Sequence, residues 1–229
     1  MASADSPEAL HHLIIRHVIE TGHAPSLQRL AELSGFTEAR AISVLNKLQS
    51  IHGVILVPNS SHIWSIHPFA LNPTPFWVAS AEAARGWWAN CAWCALGIGA
   101  AIRQDVAITT SDGGEGDPLE FFVAAGRASR ADLLMNFPYP PERWWDNPFA
   151  PCANILFFSS PARIDSWRSR HGHPQGSVLS IDLAIGLAAL WFGDYASPHW
   201  LRKTAGRANQ IFTELGLDRS FWNLPESFR

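Results

Sequence analysis

Apolar side chains at Leu10, Leu13, Ile14 and Val18 recur at helical spacing behind Ser6-Pro7-Glu8. Residues Ser6 to Glu20 therefore predict a helix with serine as N-cap and proline at its first position. Thr21-Gly22-His23-Ala24-Pro25 breaks that pattern, Ser26 caps a short second helix through Leu33, and Thr37 caps a third whose buried face is Ala41, Val44, Leu45 and Leu48. Val54-Ile55-Leu56-Val57 and His62-Ile63-Trp64-Ser65-Ile66 then read as a hairpin around Pro58-Asn59-Ser60-Ser61. His67 to Pro75 carries prolines at 68, 73 and 75, which excludes a helix interior and a central strand and predicts an extended crossing. A boundary near Pro73 divides residues 1–73 from 74–229.

Beyond that crossing, the small and apolar residues from Ala79 to Ile102 predict helix, with Gly86, Gly97 and Gly99 as its weak points. Val106 to Thr110 is a strand by β-branching, Ser111 through Pro118 a polar turn, and Leu119 to Ala124 the returning partner. Phe137 to Pro151 is a proline-rich loop carrying Trp144 and Trp145, placed to lie over a pocket. Ile155 to Phe158 predicts a buried strand, Arg163 to His171 a helix, and Gly176 to Ile181 another strand. Asp182 then caps a helix through Phe192, and a last helix covers Ala205 to Leu215. Strands and helices alternate without regular crossover units, so the class is α+β. The leading three helices and hairpin make a winged-helix-like pattern in front of a mixed or antiparallel sheet domain with flanking helices.

A winged helix raises DNA recognition by the helix from Glu38 to Gln49, but its cations are Arg40 and Lys47 alone, too few for the phosphate contacts of a DNA reader. The chain of 229 residues has a net charge of −3, which also disfavours a nucleic-acid partner, and its 47% hydrophobic content suffices for a sizeable core. No basic-then-apolar leader and no run approaching the ~20 residues of a membrane span is visible, so a cytoplasmic protein without a membrane partner is expected. Ser111-Asp112-Gly113-Gly114 lacks the strand–loop–helix setting of a phosphate loop.

The chemistry concentrates between Trp87 and Gly97, where Cys91 and Cys94 sit among Trp87, Trp88 and Trp93, while the third cysteine, Cys152, lies far downstream. Three cysteines fit reduced working thiols better than a disulfide framework. Cys91 and Cys94 form a Cys-x-x-Cys, which by itself suggests redox or zinc chemistry. A structural zinc site wants four ligands, and although His171-Gly172-His173 could donate, the spacing does not demand it. Cys91 is either a helper thiol or a packed neighbour.

Ala92-Trp93-Cys94-Ala95-Leu96 resembles the Trp-Cys-Ala-Leu signature of the organomercurial (alkylmercury) lyases, and Pro151-Cys152-Ala153-Asn154-Ile155-Leu156-Phe157-Phe158 resembles their second cysteine leading into a Phe-Phe strand. The likeness extends over roughly residues 76–200 and less distinctly over the front of the chain. It implies an enzyme in which Cys94 and Cys152 capture an organometal and a proton source cleaves the carbon–metal bond. Mercury(II) would be the product or bound ion, external thiols would accept it, and no resident cofactor is needed. Where the family places its proton-handling aspartate, three residues after the first cysteine, this chain has Gly97.

Two replacements for that acid are conceivable: a cysteine thiol releasing its own proton, or a carboxyl group from Asp112, Glu115 or Asp117, with Asp112 preferred because it directly follows a strand. Cys91, Trp88, Trp93, Gly97 and Trp145 are expected around the substrate. Two alternatives stand beside the lyase: a protein of the same fold that binds a soft metal or acts on another thiol-reactive organic substrate, and a winged-helix metal sensor.

Overall fold

The structure is a computed structural model that describes residues 6–82, 84–144, 147 and 149–226. Its first layer is helical. Helices α1 (Pro7–Thr21), α2 (Leu27–Ser34) and α3 (Glu38–Ser50) each begin at the expected hydroxyl cap, with Ser6, Ser26 and Thr37 accepting from the backbone N–H three residues on. Leu10, Ile14, Ile15 and Val18 of α1 meet Leu30 of α2 and Val44, Leu45 and Leu48 of α3 in one buried core.

A single antiparallel sheet follows. In chain order its strands are β1 (Ile55–Leu56), β2 (Ile63–Ile66), β3 (Phe69–Ala70), β4 (Trp77–Ser80), β5 (Gly86–Ala89), β6 (Val106–Ser111), β7 (Pro118–Ala124) and β8 (Arg127–Ala128). Their spatial order is β1-β2-β3-β5-β4-β6-β7-β8, so the early hairpin is hydrogen-bonded through β3 into the main sheet. Trp87 Nε1 donates to Val18 O at 3.0 Å, and the His11 ring stacks on Trp200 at 3.5 Å; both contacts fasten α1 to the rest of the molecule.

A smaller antiparallel sheet is built on β9 (Leu134–Phe137), flanked by β10 (Leu156–Phe158) and β11 (Ser177–Ser180). Helix α4 (Ala92–Ile102) lies against β4 and β5, and α7 (Ile181–Phe192) packs along α4. Helices α5 (Phe149–Asn154), α6 (Pro161–His171) and α8 (Ala205–Glu214) complete the α-helices of the described residues. The architecture is the expected α+β class.

Four local expectations are corrected. The stretch from His67 to Pro75 is not only an extended crossing, since Phe69 and Ala70 form β3 and pair with β2 on one side and β5 on the other. None of the described residues in 79–91 is helical: the aromatic pair Trp87-Trp88 lies in strand β5 and pairs with β4, and helix starts only at Ala92. A Cβ at Gly86 would sit 2.6 Å from the Val78 carbonyl oxygen, so glycine is what lets these strands close. The cap of α7 is Ser180, whose hydroxyl accepts from Leu183 N, rather than Asp182. Within the proline-rich stretch, Phe149–Asn154 forms a helix, with Cys152 inside it.

Candidate active site

Cys94 occupies the first turn of α4, at a start fixed by Cys91. The Cys91 sulfur acts as N-cap, accepting from Cys94 N at 3.3 Å, and Ala92 N donates to Ile155 O at 3.0 Å, which ties this helix start to the end of α5. Cys152 is thereby brought beside Cys94, although 58 residues separate them in sequence. His67, in the turn between β2 and β3, reaches the same point, with Nε2 3.6 Å from the Cys152 sulfur. The donor atoms of His67, Cys94 and Cys152 all lie within 4.8 Å of one another.

The two sulfurs face one cavity, lined also by His67, Trp93, Trp144, Pro151, Ile155, Trp191, Phe192 and Tyr195. The aromatic wall is interlocked: Trp93 meets Trp144 and Trp191 at 5.2 Å and Phe192 at 4.9 Å between ring centroids, and Phe192 meets Tyr195 at 4.9 Å. Cys94 is buried, whereas Cys152 is half-buried and also borders a wider cleft with Asn72, Asn90, Asn154, Glu115 and His171. A reagent can therefore approach Cys152 from a side closed to Cys94.

The thiols differ electrostatically. Burial disfavours the thiolates of Cys91 and Cys94, pushing their pKa values well above the ordinary thiol value. Cys152 is pulled well below it, first by the hydrogen bond from Cys91, then by that from Cys94, and further by His67, against the opposing effect of burial. Two S–H donors thus stabilise one thiolate. The shifts run in opposite directions, favouring the thiolate at Cys152 and the thiol at Cys94.

Of the residues expected here from sequence, Cys94, Cys152 and Trp93 line the cavity, whereas Cys91 is fully buried and caps α4 without lining it. Trp88 does not line the cavity; it packs edge-on against Trp77 at 4.7 Å across the β4–β5 pair. Trp145 lies outside the described residues. Asp112 is engaged elsewhere: it accepts from Ser159 N at 3.2 Å, from Ser159 Oγ at 2.5 Å and from Arg163 Nε at 3.2 Å. Glu115 pairs with Arg170 and His171. Among the described residues that line the cavity there is no carboxylate.

Gly97 lies one helical turn beyond Cys94, and a Cβ there would meet the Phe192 ring at 2.4 Å. Phe192 fills that space. Sequence reasoning missed His67, Trp191, Phe192 and Tyr195. His67 sat in a proline-rich crossing, and only the sheet order brings it to the cysteines.

An antiparallel α+β fold thus carries two cysteines and a histidine beside an aromatic cavity, a donor set matched to soft, polarizable ions. The chain belongs to the alkylmercury lyase family: the family described as "MerB: Alkylmercury lyase" matches residues 69–193. It is accordingly an enzyme of the carbon–mercury cleaving kind. The fold is similar to that of a solved structure described as "Crystal structure of the mercury-bound form of MerB2", at 20% identity and a TM-score of 0.65, covering 84% of this chain and 93% of that one. That likeness is one of fold. No curated protein matches the chain, and among the described residues no helix is long and apolar enough to cross a membrane.

Proposed function

We propose that the protein captures organomercurials through Cys152 and Cys94 and protonolyses the carbon–mercury bond without a carboxylic acid at position 97. The observation that carries this reading is the unequal thiol pair facing one cavity. Cys152, as thiolate, attacks the electrophilic mercury and displaces its labile ligand. Cys94 then exchanges its S–H bond for an S–Hg bond, its proton goes to the departing carbon, and the carbon–mercury bond breaks. The products are a hydrocarbon and mercury(II) held by both sulfurs, which balances protons and charge. External thiols entering along the cleft beside Cys152 then take the mercury away, and no resident cofactor is involved.

The test is the pair of single substitutions. Cys152→Ser removes the nucleophile and Cys94→Ser the proton-bearing second sulfur, so each abolishes hydrocarbon release; a serine variant that keeps full release would refute the assigned roles. A second reading is favoured by Phe192 occupying the space beside Gly97, which leaves the described lining without a carboxylate. In that reading the protein binds a soft metal or an organomercurial stoichiometrically and releases no hydrocarbon. The metal-sensor reading gains no support, since α3 carries only Arg40 and Lys47 as cations.

A further inference from the structure

Capture and cleavage of an organomercurial as proposed use two sulfurs, yet the site holds a third donor. His67 comes from the turn after β2, Cys94 from the start of α4 and Cys152 from α5, three elements joined only by tertiary structure. We propose that Cys94, Cys152 and His67 form a binding site for inorganic zinc(II), with a fourth coordination position open to the aromatic cavity.

The donor chemistry is the first support. Two thiolates and one imidazole form a set suited to a borderline-soft d10 dication, and three protein ligands with one open position mark zinc sites that exchange a ligand. Zinc binding releases the Cys94 proton to solvent, and the two thiolates with a neutral imidazole then balance the dication's charge, so the ion can sit in apolar surroundings.

The geometry is the second. Zinc bonds of about 2.3 Å to sulfur and 2.0–2.1 Å to nitrogen imply a sulfur-to-nitrogen edge of roughly 3.5–3.8 Å in tetrahedral or trigonal coordination. Cys152 Sγ and His67 Nε2 are 3.6 Å apart. The limit of 4.8 Å on every donor pair leaves the remaining edges within reach of small side-chain rotations. The lining offers no carboxylate among the described residues, which disfavours magnesium and calcium.

This inference is independent of the lyase reading and stands or falls without any carbon–mercury cleavage. It carries one functional consequence: zinc and organomercurial compete for the same two sulfurs.

The experiment titrates the reduced, metal-free full-length chain with zinc(II) against a chromophoric chelator, and with cobalt(II) as a spectroscopic stand-in. The expected result is one zinc per chain, with sulfur-to-cobalt charge-transfer absorption and intense tetrahedral d–d bands. His67→Ala and His67→Gln each weaken zinc binding at least tenfold, whereas His67→Cys, which restores a soft donor, retains it. Cys94→Ser and Cys152→Ser each diminish the charge-transfer band. Variants are compared where their near-ultraviolet circular dichroism matches that of the unmodified protein; where none matches, the titration of the unmodified protein decides. Absence of stoichiometric binding by the unmodified protein overturns the proposal. So does a loss smaller than tenfold in both His67→Ala and His67→Gln.

Discussion

A β-carbon built on Gly97 lies 2.4 Å from Phe192 Cδ2 and 2.8 Å from Cε2, so the ring of Phe192 fills the volume that any side chain at position 97 requires. The position is one helical turn from Cys94, where the family resemblance puts a proton-handling aspartate. Glycine and phenylalanine are here a matched pair, and restoring the acid is not a single-site change.

Gly97→Asp is accordingly expected to destabilise the fold by about 1–3 kcal/mol through overpacking, with no gain in hydrocarbon release. Combined with Phe192→Ala, which opens the space, the two effects are less than additive, with a coupling of about 0.5–3 kcal/mol between contacting residues. Urea denaturation of the two single variants and the double variant measures that coupling. Additive losses would show that the ring and position 97 do not compete for one space.

Asp112 is a tie rather than an acid in this structure, binding the start of the turn after β6 to Ser159 and Arg163. Asp112→Ala leaves the half-buried Ser159 donors without their acceptor and is expected to cost about 1 kcal/mol of stability. Hydrocarbon release per folded molecule should stay within about twofold of the unmodified protein; loss of release with the fold intact would return Asp112 to the chemistry.

The buried thiol network makes a pH prediction. Alkylation of an ordinary thiol slows about tenfold per pH unit below its pKa of ~8.5, because only the thiolate reacts. Cys152, held as thiolate, should keep its rate as pH falls below that range, while Cys91 and Cys94 remain unmodified. The hydrogen bond from Cys91 is the largest support of that thiolate, so Cys91→Ala should raise the pH at which the rate falls. Peptide mapping after brief iodoacetamide exposure reads both results, and equal labelling of Cys94 and Cys152 would contradict the assignment.

His11 provides a stability test. It is fully buried, stacked on Trp200, and burial first, then His12 and His67, hold its imidazole neutral by lowering its pKa well below 6.5. The unfolded chain takes up a proton near pH 6.5 that the folded chain refuses. The stabilisation is therefore present above about pH 6.5 and is lost as pH falls below it, by up to about 1.4 kcal/mol per pH unit. His11→Phe keeps the stack and should flatten the dependence measured by urea denaturation between pH 7.5 and 5.5; an unchanged slope would place its source elsewhere.

Much of this was legible in the chain. Hydroxyl caps at Ser6, Ser26 and Thr37 located the first three helices because capping is local chemistry, and β-branching located β6. The Trp-Cys-Ala-Leu and Pro-Cys-Ala-Asn motifs pointed to two cysteines whose donor atoms do lie together. What stayed hidden was non-local. Trp87 and Trp88 sit in a stretch of helical composition, and pairing with β4 makes it a strand. Phe192 read as the end of an ordinary apolar helix, and only the packing of α7 along α4 brings it into the cavity beside Cys94. His67 reaches Cys152 through the order of strands in the sheet, and no spacing rule encodes that order.

The central claim is that an unequal pair of thiols, without a carboxylic acid at position 97, completes protonolysis and not merely capture. Its most direct measurement is the hydrocarbon released per protein molecule from methylmercury in the presence of excess external thiol, followed as headspace methane. The account predicts many methane molecules per protein molecule, and none above background from Cys94→Ala or Cys152→Ala. Methane that never exceeds background from the unmodified protein, with mercury nevertheless bound one to one, would contradict it and leave a soft-metal binding protein on a lyase fold.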